Sequence, residues 1–280
     1  MKIKISADST CDLSPELISE YEISIIPLYI IRDEQSLKDG IEITADDVFD
    51  YVENGKGTCS TSAVNEADYV SFFNDLREKY DAIIHFNISS EMSSCYANAC
   101  RAAQTVGGVY VVDSANLSTG IGLLVIKAAE IARYNVPVEE IHRAISAYTK
   151  RVESSFVIDT LRYLHKGGRC SALAALGANI LKLKPCIEVK DGKMTVGKKY
   201  RGNFATVIKQ YVRDRIKGRD DIDKRYIFVT STIRTPKEVT DEIESMLRDY
   251  GFETIMRTHA GCTISNHCGP VCLGILFLRK

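Results

Sequence analysis

Short apolar runs alternate with longer amphipathic stretches through the first half of the chain. KIKIS near the start, AIIHFNIS at 82–89 and VYVV at 109–112 are short and rich in β-branched residues, the pattern of strands. Around them the apolar positions take the helical period over 66–80, 92–106, 119–135 and, opened by Pro137, over 138–152. Ser14 before Pro15 is a helix start, and Thr44 with Asp47 forms a capping-box pattern ahead of VFDYV. Strands separated by helices of this length pair in parallel through right-handed crossovers.

The pattern changes after about residue 152. FVID is a short strand, 161–169 an amphipathic turn and 171–184 a helix that Pro185 should end. Two alternating runs flank Asp191-Gly192, a two-residue hairpin signal. A helix over 203–217 and a strand over 225–232 follow. Thr235-Pro236-Lys237-Glu238 then reads as a capping box opening a further helix, and strands over 252–258 and 271–278 close the chain. The expected fold is α/β in two domains: a mainly parallel α/β domain over 1–154 and a smaller α+β domain over 155–280.

Several strands run out into small hydroxyl and acidic residues: Ala7-Asp8-Ser9-Thr10, Ser89-Ser90-Glu91-Met92-Ser93 and Asp113-Ser114. Loops at the carboxyl ends of parallel strands are where open α/β sheets bind ligands. Hydroxyls and backbone N–H groups gathered there suit a polar or anionic head group. Gly120-Ile121-Gly122 opens a helix after a strand, yet it lacks the third glycine and the distal acid of a dinucleotide site, so helix packing explains it better. Phosphate-loop and serine-hydrolase elbow patterns are absent.

Composition narrows the classes further. The 280 residues are 45% hydrophobic and 26% charged, with a formal net charge of −1, enough for a substantial core and no invitation to nucleic acid. No apolar run approaches the ~20 residues of a membrane span. The opening Met-Lys-Ile-Lys lacks the long apolar core of a signal peptide, so a cytoplasmic location is expected. Nine scattered cysteines form no Cys-x-x-Cys pair and read as small buried hydrophobes. His259, Cys262, His267, Cys268 and Cys272 are zinc-ligand types, but adjacent His267 and Cys268 seldom both reach one tetrahedral ion. His267, before Gly269-Pro270 in a turn, is open to two readings, a binding residue or a solvent-facing loop histidine. His85 reads as a satisfied core residue, and His142 and His165 as helix-surface residues. Arg169, after Gly167-Gly168, is either an exposed recognition residue or a helix-end cation.

ADSTCDLSPEL, CSTSAVN at 59–65, ISSEMSSCYANA at 88–99 and VVDSANLSTGIG at 111–122 occur in a fixed order. LRYLHKGGRCS at 161–171, LKLKPCIEVKDGKMT at 181–195, Lys199-Tyr200-Arg201 and HCGP at 267–270 follow them. In this series the chain resembles the DegV family, the bacterial fatty-acid-binding proteins called FakB where they serve a fatty acid kinase. The resemblance implies a carrier rather than a catalyst, with one long-chain fatty acid in a tunnel between two domains. It implies that Thr61, Ser93, Arg201 and His267 bind the carboxylate and that Arg169 faces a FakA-like kinase subunit. It implies no cofactor, no nucleic acid and no stable membrane insertion. Asn65, Ser94-Cys95, Cys268 and Val271 depart from the family pattern. Two other functions compete: a small-molecule phosphotransferase using His267, by fold-level analogy, and a structural metal-binding module at the C-terminus.

Overall fold

The computed structural model describes residues 1–171 and 183–280. Strands β1 (Ile3–Asp8), β2 (Ser24–Ile26), β6 (Ala82–Asn87) and β7 (Val109–Asp113) form a parallel sheet in the order β2-β1-β6-β7. Every residue of β6 is buried, as expected of a parallel strand covered on both faces. Helices α1 (Pro15–Glu20), α3 (Glu66–Arg77), α4 (Cys95–Val106), α5 (Thr119–Ala132) and α6 (Val138–Tyr148) make the connections. Ser14 caps α1 through the Leu17 N–H, and Thr44 with Asp47 forms the reciprocal capping box of α2 (Ala45–Glu53), as their spacing predicts.

Between β2 and α3 lies an element that hydropathy did not reveal. Strands β3 (Tyr29–Arg32), β4 (Gln35–Lys38) and β5 (Ser60–Ser62) form a small antiparallel sheet in the order β4-β3-β5, with α2 between its last two strands. Strands this short leave too few alternations to be seen in sequence.

The second half builds a six-stranded sheet. Its strands are β8 (Val152–Ile158), β9 (Lys184–Lys190), β10 (Lys193–Tyr200), β11 (Ile222–Ser231), β12 (Thr254–His259) and β13 (Cys272–Arg279), ordered β10-β9-β8-β13-β11-β12. All pairs are antiparallel except β11 with β12. Asp191 and Gly192 both take positive φ, 49° and 77°, as the tight hairpin between β9 and β10 requires. Helices α7 (Arg162–Gly167), α8 (Phe204–Ile216), α9 (Lys237–Asp249) and α10 (Cys262–Cys268) complete this half.

Three sequence expectations need correction. The helix expected over 171–184 falls almost wholly outside the described residues, and its expected end is strand: Lys184 and Pro185 open β9, with Pro185 opposite Lys199. The capping box at Thr235 does not form. Its hydroxyl instead donates to the Cys272 carbonyl at 2.8 Å and accepts from the Cys272 N–H at 3.1 Å, so α9 starts on Pro236 without a side-chain cap. A buried strand end outcompetes a helix N-terminus that water can satisfy. Finally, His267 lies on α10 and not in a Gly/Pro turn.

Helix α5 joins the two halves, packing on β1 and β6 of the parallel sheet and on β8 and β13 of the other. Its glycines exist for this contact. A β-carbon on Gly120 would collide with the Asn116 amide oxygen and stand 2.5 Å from Ser154 Oγ, and one on Gly122 would stand 2.8 Å from Leu13 Cδ2. His85 is the satisfied core histidine expected, with Nδ1 2.9 Å from Ser6 Oγ, and burial pushes its pKa down to about 3. We predict that Gly120→Ala destabilises the protein by about 1–3 kcal/mol, because overpacking outweighs the ~1 kcal/mol gain in helix propensity. A thermal melt would show it, and a raised melting temperature would contradict it.

Candidate functional site

A cavity of about 270 Å³ opens where the parallel sheet, the small sheet and the six-stranded sheet meet. Leu28, Ile88, Met92, Leu117, Phe156, Leu164, Met194 and Ile264 give it apolar walls, and Thr61, Ser62, Ser93, Ser94, Arg169 and His267 supply polar groups. It is an apolar chamber with a concentrated polar patch, suited to an amphiphile carrying one polar end.

Each polar group is set by a different element. Thr61 sits on β5, paired with Ile30 of β3. Ser93 precedes α4, and its hydroxyl accepts the Cys95 N–H at 3.2 Å in the first turn of that helix. The cavity therefore meets the N-terminus of a twelve-residue helix, where the backbone favours negative charge. Cys95, one of the departures from the family pattern, is buried in that turn. Asn65, another departure, caps α3 by accepting the Asp68 N–H at 2.9 Å.

His267 is placed by contacts remote in sequence. Buried Asp39, just after β4, accepts the N–H groups of Cys262 at 2.8 Å and Thr263 at 3.1 Å, capping α10 from outside its own segment. Buried Asp12 accepts the Gly261 N–H at 2.9 Å and the Ser118 hydroxyl at 2.5 Å. So anchored, α10 brings His267 Nε2 to 2.9 Å from Thr61 Oγ1. Gly167 lies against the other side of the ring, where any β-carbon would strike Nδ1, and Gly168 takes the left-handed φ of 67°. Both glycines after α7 thus have a conformational reason. Burial, reinforced by the Arg169 charge, pushes the His267 pKa down to about 4, so the imidazole is neutral at pH 7. Its Nδ1 is buried without a hydrogen-bond partner among the described residues.

The structure brings Thr61, Ser93, His267 and Arg169 to one cavity and leaves Arg201 exposed just beyond β10, outside its lining. Arg169 is exposed as well as lining, and its guanidinium donates to the Gly167 carbonyl at 2.8 Å. A second chamber of about 140 Å³ adjoins the first, sharing Thr61, Arg169 and His267 and adding Arg162 and Lys166 with no carboxylate in its lining. The hydroxyls after β1 and β7 do not reach the cavity: Ser9 bonds Asp39, Thr10 bonds Asp8, and Ser114 bonds its own turn. Only the β6 loop contributes as its composition suggests. Sequence reasoning missed Asp12 and Asp39, and the small sheet that carries Thr61. Asp12 lies within the segment ADSTCDLSPEL, and no sequence signal singled out Asp39.

The C-terminal zinc-ligand types point to different neighbours. His259 Nδ1 lies 3.4 Å from Ser231 Oγ, the Cys262 thiol bonds the Ile43 carbonyl, and Cys272 is buried at the start of β13. Among the described residues no group of three His, Cys, Asp or Glu side chains is placed to hold a metal ion, and no helix is long and apolar enough to cross a membrane.

Comparison with known proteins agrees with this architecture. The model of the DegV family, described as uncharacterised proteins, matches residues 2–280. A DegV domain-containing protein of Caldanaerobacter subterraneus subsp. tengcongensis is 32% identical over 100% of this chain and 99% of its own. Two solved structures cover all of both chains at 25% identity. One, described by its fatty acid binding, is a DegV family protein from Thermus thermophilus with a TM-score of 0.88; the other is DegV, a fatty acid binding protein from Bacillus subtilis, with a TM-score of 0.86.

Two outcomes are expected of the aspartates. Asp39→Ala leaves two buried N–H groups unpaired and should cost about 2–4 kcal/mol in denaturant unfolding, with Asp39→Asn milder. Burial pushes the Asp12 pKa up to about 8, well above its unfolded value. The folded state therefore holds a proton that the unfolded chain has lost, and stability should fall as pH rises from the unfolded carboxyl value near 4 to about 8, by on the order of 1 kcal/mol per pH unit. Asp12→Asn should flatten that slope in pH-dependent melts, whereas an unchanged slope would place the titrating group elsewhere.

Proposed function

Since the chain belongs to the DegV family, we propose that it binds one long-chain fatty acid and presents the carboxylate to a fatty acid kinase for acyl-phosphate formation. It acts as a cytoplasmic carrier and not as a catalyst. The observation that carries this reading is a cavity with apolar walls and one polar patch built from Thr61, Ser93, His267 and Arg169. The acid lies between the units 1–154 and 155–280. Thr61 and Ser93 offer hydroxyls, the α4 N-terminus offers its dipole, and neutral His267 takes part as a hydrogen-bonding group.

The energetics divide the work. Burying about fourteen methylenes at ~0.8 kcal/mol each gains about 11 kcal/mol before association costs. A charge-assisted hydrogen bond to the carboxylate adds ~1.5–3 kcal/mol. The tail therefore supplies affinity, and the head-group residues fix where the carboxylate stands. Arg169, at once lining and exposed, and the cationic chamber beside it suit an acidic partner surface facing that carboxylate.

Native mass spectrometry of the purified protein should show one acid per chain, identified by organic extraction. Absence of any lipid, together with no binding of saturated or unsaturated C14–C18 acids, would sink the proposal. Arg169→Ala should keep its lipid and its stability within about 0.5 kcal/mol while reducing acyl-phosphate formation in a reconstituted kinase assay. Arg201→Ala should keep its lipid too. Loss of lipid from Arg169→Ala, or full support of the kinase by it, would remove the partner-facing role.

A further inference from the structure

The loop after β6 brings Ser93 to the cavity, and one buried residue shapes that loop. Ser89 is fully buried and is not among the residues that line the cavity, yet all of its polar groups are engaged. Its N–H donates to the Asn116 carbonyl at 2.9 Å, and its carbonyl accepts the N–H groups of Met92 at 2.9 Å and Ser93 at 3.2 Å. Its hydroxyl accepts the Glu91 N–H at 3.3 Å and donates to the Gly192 carbonyl at 2.7 Å. The bonds to Glu91, Met92 and Ser93 close a single turn from Ser89 to Ser93, capped by its own serine hydroxyl. The bond to Gly192 reaches 103 residues along the chain, to the β9–β10 hairpin of the other half.

We infer that Ser89 is a positioning residue for the head group: it sets where the Ser93 hydroxyl stands and ties that position to the hairpin whose Met194 walls the same cavity. This rests on the cavity being the fatty-acid site. The Ser93 hydroxyl accepts the Cys95 N–H and donates to the Cys95 thiol, both at 3.2 Å. A thiol sulfur is a weak acceptor, so the donation passes to a carboxylate oxygen when one is present. Its direction is set by the turn that holds Ser93, and Ser89 fixes that turn through its carbonyl and its hydroxyl. The hairpin is shaped to receive the bond. Gly192 is buried with a φ of 77°, and a β-carbon there would stand 2.6 Å from Ser89 Oγ. Lys193 and Glu91 pair at 3.2 Å beside it, but both are largely exposed and the pair adds little. The buried hydroxyl is the specific tie.

Positioning and mere support have different signatures. Ser89→Ala keeps the backbone bonds of residue 89 but leaves the Gly192 carbonyl and the Glu91 N–H without the hydroxyl they share, so the turn and the hairpin lose their common register. Any loosening of the apolar walls weakens an acid and a neutral lipid of the same length alike. The ratio of their affinities therefore isolates the head group, where the charge-assisted bond is the stronger one. Because Ser89 acts through Ser93, its removal should have no further effect on that ratio once the Ser93 hydroxyl is gone.

The test is the affinity for a saturated C16 acid relative to the C16 primary alcohol, read by displacement of a fluorescent fatty acid, with melts to verify folding. Ser89→Ala should lower the acid-to-alcohol ratio by about threefold to tenfold, and Ser93→Ala by at least as much. The double variant should keep the ratio of Ser93→Ala within about twofold. If Ser89→Ala fails to fold, Gly192→Ala, which crowds the same hydroxyl from the hairpin, takes its place in both comparisons. A folded variant with the wild-type ratio, or a double variant whose loss is the product of the two single losses, overturns the positioning role while leaving the carrier reading intact. A wild-type protein that binds no acid removes both.

Discussion

The site depends on two buried carboxyl groups that clasp the start of one short helix. Asp12 and Asp39 take the N–H groups of Gly261, Cys262 and Thr263. The aspartates come from the first forty residues and the helix from the last twenty. No local interaction could fix α10 so well, since seven residues are too few to be stable alone. Without the clasp, three backbone donors, two of them buried, would lose their partners and His267 would lose its register with Thr61. The cost is a carboxyl group, Asp12, held in surroundings that raise its pKa to about 8, a form of strain kept at a place that positions function.

The other ties between the halves differ in kind. Arg234, beyond β11, pairs with Asp46, Asp50 and Glu53 along one face of α2 and stands over the Phe49 ring. These pairs are largely exposed, so salt screens them and each adds little. Helix α5, packed on both sheets through Gly120 and Gly122, is the apolar tie. Orientation of the halves thus comes from close packing and buried hydrogen bonds, with surface charge as a supplement.

A cavity for an amphiphile must reconcile two environments. Apolar walls weaken the hydration of any charged group beside them, and His267 shows the effect in its lowered pKa. A neutral imidazole beside a threonine hydroxyl can adapt its hydrogen bonding to a carboxylate without carrying a permanent buried charge. The permanent cation, Arg169, stays at the exposed side, where solvation is retained.

Much of the architecture was determined by the sequence alone. Hydrophobic period gave the parallel strands and their helices, Ser14 and Thr44 marked real helix starts, and Asp191-Gly192 marked a real hairpin, because each signal is local and its energy is satisfied within a few residues. The site was legible in part: Thr61, Ser93, Arg169 and His267 meet at one cavity, and motif order had singled them out. What only the tertiary structure decided lies at long sequence separation. Arg201 stays outside the cavity, the Thr235 hydroxyl abandons its helix for Cys272, and His267 rides a helix held by Asp12 and Asp39. Those outcomes turn on which buried donor meets which acceptor across more than two hundred residues in the case of the aspartates, or between neighbouring strand ends in the case of Thr235. No periodicity or local propensity encodes such pairings, because the free energy that selects them exists only once the chain has closed around them.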